Sequence, residues 1–122
     1  MIPLFSSSQG VHDMAFDEGL AQRLREIFAE REDVIEKKMF GGLAFMLSGN
    51  MCCGVVGEEL MARVGPDQYE SALKQPYARK MDFTGKPLKG FVYVGYQGIM
   101  SDNDLECWVG RCEKFVCSLP AK

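Results

Sequence analysis

The stretch Glu36-Lys37-Lys38-Met39-Phe40-Gly41-Gly42-Leu43-Ala44-Phe45-Met46-Leu47-Ser48-Gly49-Asn50-Met51-Cys52-Cys53-Gly54-Val55-Val56-Gly57 decides the fold. Its apolar residues recur with a period of two, and glycines interrupt them at short intervals. That is the pattern of consecutive strands joined by turns. Ile35 to Phe40 reads as a first strand, Gly41-Gly42 as a corner and Leu43 to Leu47 as a second strand. Ser48-Gly49-Asn50 reads as a three-residue hairpin whose glycine supplies φ > 0, and Met51 to Val56 as a third strand. Gly57-Glu58-Glu59 then turns the chain into Leu60 to Val64. Connections this short force antiparallel pairing, because a parallel crossover takes a dozen or more residues.

Upstream, Leu20, Leu24, Ile27 and Phe28 recur at helical spacing. Asp13 is the expected N-cap, with Asp17 and Glu18 in the acidic helix start, and the helix is expected to end between Arg31 and Asp33. Gly19 inside it costs about 1 kcal/mol relative to alanine. Residues 1–13 read as a flexible leader, with Met14 an alternative start, and residues 14–122 as one domain. Downstream, Gly65-Pro66 opens a second helix with Tyr69, Ala72 and Leu73 on its buried side, and Pro76 stops it. Arg79 to Phe83, a turn at Thr84-Gly85-Lys86-Pro87, and Leu88 to Tyr96 form a second hairpin. Ser101 and Asp104 make a capping box for a last helix, whose stripe is Leu105, Trp108, Val109, Cys112, Phe115, Val116 and Leu119. The order α-β-β-β-(β)-α-β-β-α predicts a two-layer α+β fold on an antiparallel sheet.

Composition narrows the function. The chain has 122 residues, 47% of them hydrophobic and 25% charged, which suits one globular domain. No apolar run approaches the roughly 20 residues that span a bilayer. Net charge is −3, so the chain has no basic excess with which to displace counterions, and direct DNA binding is not expected. Lys37, Lys38, Arg79, Lys80, Lys86 and Lys89 are scattered and read as solvated strand edges. Five cysteines without framework spacing, and no secretory leader, predict reduced thiols in the cytoplasm.

Candidate chemistry is sparse. His12 is the single histidine and lies in the leader, which leaves no base for a Ser-His or Cys-His mechanism and no His-based metal site. Cys52 and Cys53 are adjacent on a strand, so their side chains should face opposite ways, one as a small buried hydrophobe. Cys107, Cys112 and Cys117 spread around one helix, with Cys112 in its stripe. Lys89-Gly90-Phe91-Val92-Tyr93-Val94-Gly95-Tyr96 approaches the pattern by which strand aromatics stack on RNA bases, but no companion strand accompanies it. Arg63, Arg79 and Lys86 are the residues an anion- or nucleotide-binding reading would use. The second strand and the strand after Leu88 are apolar on both faces, whereas one helix layer covers only one. The uncovered face, including Met46, Phe91 and Tyr93, is expected to receive a partner or a second copy.

Residues 14–122 resemble the N-terminal domain of the TfoX family, bacterial proteins named after a regulator of natural competence. The carrying residues are Glu36 to Met46, Gly49 to Val55, Arg63-Val64-Gly65-Pro66, Met81-Asp82-Phe83-Thr84-Gly85, Lys89 to Val94, Trp108-Val109 and Ser118-Leu119-Pro120. The resemblance implies an α+β fold similar to type III secretion chaperones, which are often dimeric. It implies a regulatory role, since longer members activate competence genes alongside the cyclic-AMP receptor protein and carry a second, helical domain. With no such segment after Lys122, the expectation is a stand-alone N-terminal domain rather than a direct activator. The resemblance carries over no catalytic residue. The expected protein is therefore a non-enzymatic interaction module, without cofactor or metal, that binds a protein partner or forms a homodimer.

Overall fold

The computed structural model describes residues 16–39, 41–82 and 87–122. The apolar stripe of the first helix forms α1, Glu18–Ile27, which buries Leu20, Ala21 and Leu24. Its N-cap is Asp17, whose carboxylate accepts the Gly19 N–H at 2.9 Å. The expected cap Asp13 lies outside the described residues. Gly19 therefore stands in the first turn, at a cap-bonded position, and not at mid-helix. The helix also stops earlier than expected. Arg31 forks onto Asp33 with two bonds of 3.0 Å, and the Asp33 carbonyl accepts the Ser48 N–H at 2.8 Å. These bonds commit the segment to a turn against the next hairpin.

Six strands follow the period-two pattern: β1 Val34–Met39, β2 Gly42–Leu47, β3 Asn50–Val56, β4 Glu59–Arg63, β5 Ala78–Asp82 and β6 Pro87–Val94. All neighbours pair antiparallel, in the order β1-β2-β3-β4-β6-β5. The edges are therefore β1 and β5, which carry Lys37, Lys38, Arg79 and Lys80, charges that discourage further strand addition. The expected β5 end at Phe83 and turn residues 84–86 lie outside the described residues, while Pro87, expected in that turn, opens β6. Tyr96, expected at the end of β6, stands instead in a 3-10 turn, Tyr96–Ile99, where it is exposed.

Pro66 opens a 3-10 turn, Pro66–Gln68, that leads into the short helix α2, Tyr69–Leu73. The last helix, α3, is Asp102–Val116, with the Ser101 hydroxyl accepting the Asp104 N–H at 3.0 Å. Its stripe is buried as far as Val116 except at half-buried Phe115, while Leu119 lies beyond the helix in a bend. All three described helices pack on one face of the sheet. Leu20 and Leu24 of α1, Tyr69 and Ala72 of α2, and Leu105, Trp108, Val109, Cys112 and Val116 of α3 share a core with Leu43, Phe45, Leu47, Val55, Leu60, Val92 and Val94. The architecture is α+β, with a helical layer on an antiparallel sheet.

The register shifts at two places, between Lys80 and Asp82 in the β5–β6 pair and within the β2–β3 pair. Phe45 faces Cys53 and Met46 faces Met51, which leaves Cys52 as the extra residue of a β-bulge. The bulge returns Cys52 to the side that Cys53 already occupies. Both thiols are fully buried in the helix-side core, contrary to the opposite-facing arrangement that a regular strand would impose.

Candidate functional site

The residues that alternate away from the helices form a second apolar surface. Ala44, Met61 and Met81 are buried at its centre, with Met39, Met46, Met51, Val56, Leu88, Phe91 and Tyr93 half-buried around them. No residue of the described helices contributes to this cluster. Gly54 keeps the centre flat, since a Cβ there would lie 2.8 Å from the Met61 methyl and 2.6 Å from the Leu43 carbonyl oxygen. Register assembles the rest. Met46 faces Met51, Gly54 faces Met61, and Met61 faces Tyr93. Met46, Phe91 and Tyr93 thus share one face, with β3 and β4 between Met46 and the other two. Three strand spacings separate β2 from β6 by about 14 Å, so the surface is broad rather than a point contact.

Methionine dominates this surface. Met39, Met46, Met51, Met61 and Met81 supply unbranched, polarizable side chains that adapt to the shape of a docked surface. Met51, Met61, Met81 and Leu88 join Met46, Phe91 and Tyr93 in this surface. Their signal was available in the same parity that marks Met46, but the bulge at Cys52 hides it in β3.

Two guanidinium groups border the face. Arg63 lies 5.5 Å from the Phe91 ring centre and 5.4 Å from that of Phe115, and its Nη1 donates to the Met51 carbonyl at 3.2 Å. Arg79 stacks over Tyr93 at 4.8 Å and forks onto the Glu59 carboxylate, with an Nη2–Oε1 distance of 2.7 Å. That carboxylate raises the Arg79 pKa above its ordinary value. Arg63 and Arg79 are therefore held by aromatic rings, a carbonyl and a carboxylate, while Lys86 lies outside the described residues. The Arg63 and Arg79 guanidiniums each lie over one face of the Phe91 and Tyr93 rings, respectively.

On the helix side, the bulge brings Cys52 beside Cys53, and α3 adds Cys112, all fully buried. The S–H groups of Cys112 and then Cys53 donate toward Cys52 and pull its thiol below the ordinary range, against the effect of burial. Cys53 and Cys112 move the opposite way, pushed up by their bond to Cys52 and by burial. Cys107 and Cys117 are exposed and apart from this trio. Among the described residues, no three His, Cys, Asp or Glu side chains are arranged to hold a metal ion.

No helix among the described residues is long and apolar enough to cross a membrane. No curated protein and no solved structure matches the chain. The model of the TfoX N-terminal domain matches residues 26–116, from the last two residues of α1 to the end of α3 and including all six described strands; the chain belongs to that family.

Proposed function

We propose that the protein is a non-enzymatic interaction module, of regulatory use, that docks a protein partner on the methionine-rich outer face of its sheet. One observation carries this reading: all three described helices pack on one side of the sheet, and the other side still presents a continuous apolar surface. Contiguous apolar surface of this kind usually marks a binding site. Charge selects the occupant. Lys37 lies on the same face by register, opposite Ala44, and Arg63 lies opposite Phe91, whereas the Arg79 charge is balanced by Glu59. An apolar partner surface bordered by aspartate or glutamate fits this distribution. A second copy fits it less well, because like charges would meet across a two-fold axis. The proposed setting is the cytoplasm.

The test is affinity capture from a bacterial lysate with the wild type and two variants. Met46→Asp with Phe91→Asp alters the outer face, while Lys74→Asp changes a charge on the exposed end of α2. A stoichiometric protein retained by the wild type and by Lys74→Asp, but lost by the double variant, is the expected result. Retention that ignores the double variant defeats the proposal. Sedimentation of the purified chain at tens of micromolar reads self-association separately, and a dimer disrupted by the same double variant would replace the acidic partner with a second copy.

A further inference from the structure

A separate feature stands on the helical side, between the Pro66–Gln68 turn and α3. There a cavity of about 560 Å³ is walled by Val64, Asp67, Gly110, Arg111, Lys114 and Phe115, among others. Its size falls in the range of roughly 300–1,000 Å³ that small-molecule sites occupy. Gly110 leaves it open, since a Cβ at that position would meet nothing within 4 Å. Val64 and Phe115 supply apolar wall, and Phe115 is held in place by the close approach of Gly65, whose position would bring a Cβ within 2.3 Å of the ring.

Arg111 is the informative residue. Its guanidinium stacks on the Trp108 ring at 5.2 Å, which fixes it on the helix surface. Its Nη1 is buried and has no hydrogen-bond partner among the described residues. Leaving a buried donor of a charged group unpaired costs more than leaving a neutral one. Lys114 stands three residues on, on the same side of the helix. Two cations and one acid, Asp67, give the cavity a net positive charge. The fork of an arginine matches carboxylate and phosphate oxygens, and a lysine beside it adds a point charge.

We propose that this cavity binds a small organic anion, its carboxylate or phosphate on Arg111 and Lys114 and its apolar body against Val64 and Phe115. The site is independent of the outer sheet face. Arg63 and Arg79, cations singled out from sequence, do not line it.

The test is a titration of the full ¹⁵N-labelled chain, followed by NMR, with phenyl phosphate, benzoate and inorganic phosphate as probes. Saturable shifts at Gly110, Gln68 and the Trp108 indole are expected with phenyl phosphate, benzoate or both, and the one that binds more tightly names the head group. Arg111→Gln should weaken binding at least tenfold, the equivalent of one charge-assisted hydrogen bond at about 1.4 kcal/mol per tenfold. Gly110→Leu keeps every charge and places its side chain in the open space. It should abolish binding with no loss of thermal stability, because leucine is the better helix former. The absence of saturable shifts with all three probes overturns the proposal, as does an affinity unchanged by both substitutions. Inorganic phosphate binding as tightly as phenyl phosphate overturns the apolar half of the site.

Discussion

Single residues place the chemistry of this chain more sharply than its composition does. Cys52 is the clearest case. Without the bulge it would point to the outer face, among the methionines; with it, three thiols share the core and two remain at the surface. Ellman's reagent should therefore titrate two thiols rapidly in the native protein, Cys107 and Cys117, and all five only in denaturant. A third fast thiol would show that the core opens at the bulge. Gly65 is equally specific. Its φ of +87° with ψ of 162° is a backbone region that only glycine occupies freely, and its Cα packs on the Phe115 ring. Gly65→Ala would add backbone strain to overpacking, for an expected loss of about 2–4 kcal/mol in chemical denaturation. A loss within experimental error would mean that Phe115 moves aside freely.

The elements were legible where periodicity was long and ends were chemically marked. Helix α3 has both: a buried stripe and the Ser101 cap, whose removal in Ser101→Ala should cost about 1 kcal/mol. The strands of the glycine-rich block were legible because turns this short permit only antiparallel neighbours. What was not legible depends on contacts distant in sequence. The bulge is a property of how β3 registers with β2, not of either strand alone. The early stop of α1 depends on Asp33, which holds Arg31 on one side and the Ser48 hydroxyl, at 3.0 Å, on the other. The outer face was anticipated from apolar strands with only one helix layer. The Arg111 cavity was not, because an arginine within a helix reads as a solvated residue until the turn at Pro66 is folded against it. The Asp33 junction also sets a pH dependence. Its hydrogen bond from Arg31, foremost, lowers the Asp33 pKa from 3.8 to about 2. The folded state thus favours the carboxylate. The resulting stability is complete above about pH 4 and is lost as pH falls toward 2. Asp33→Asn should accordingly lower Tm at pH 6, with the difference from the wild type shrinking between pH 4 and pH 2. A difference that stays constant over that interval would assign the effect to shape rather than charge.

At the scale of the whole molecule, the two sides of the sheet do different work. The helix side carries the main core, and the outer side carries a smaller one built largely of methionine. Substitution of half-buried outer residues should thus disturb association more than folding. The end of the chain joins these layers at one corner. Asn50, a buried polar residue at the start of β3, donates its Nδ2 to the Pro120 carbonyl at 2.9 Å. The Lys122 N–H donates to the Ser48 carbonyl at 2.9 Å, and Gly49 leaves room for Lys122, which would lie 2.8 Å from a Cβ there. The segment after α3 is thereby fastened to the β2–β3 turn, next to the bulge that positions the thiols. Asn50→Ala removes the donor, leaves the Pro120 carbonyl without it, and opens the corner. The expected cost is about 1–3 kcal/mol, read as a lower denaturation midpoint with an unchanged m-value. Because the Lys122 bond closes the same strap, its amide should exchange with solvent faster in the variant. Amides of Val92 and Val94, buried on a strand paired on both sides, should slow or quicken only with global stability. An Asn50→Ala protein with native midpoint and native exchange at Lys122 would show that the last residues are held by packing against Gly49 and not by the asparagine.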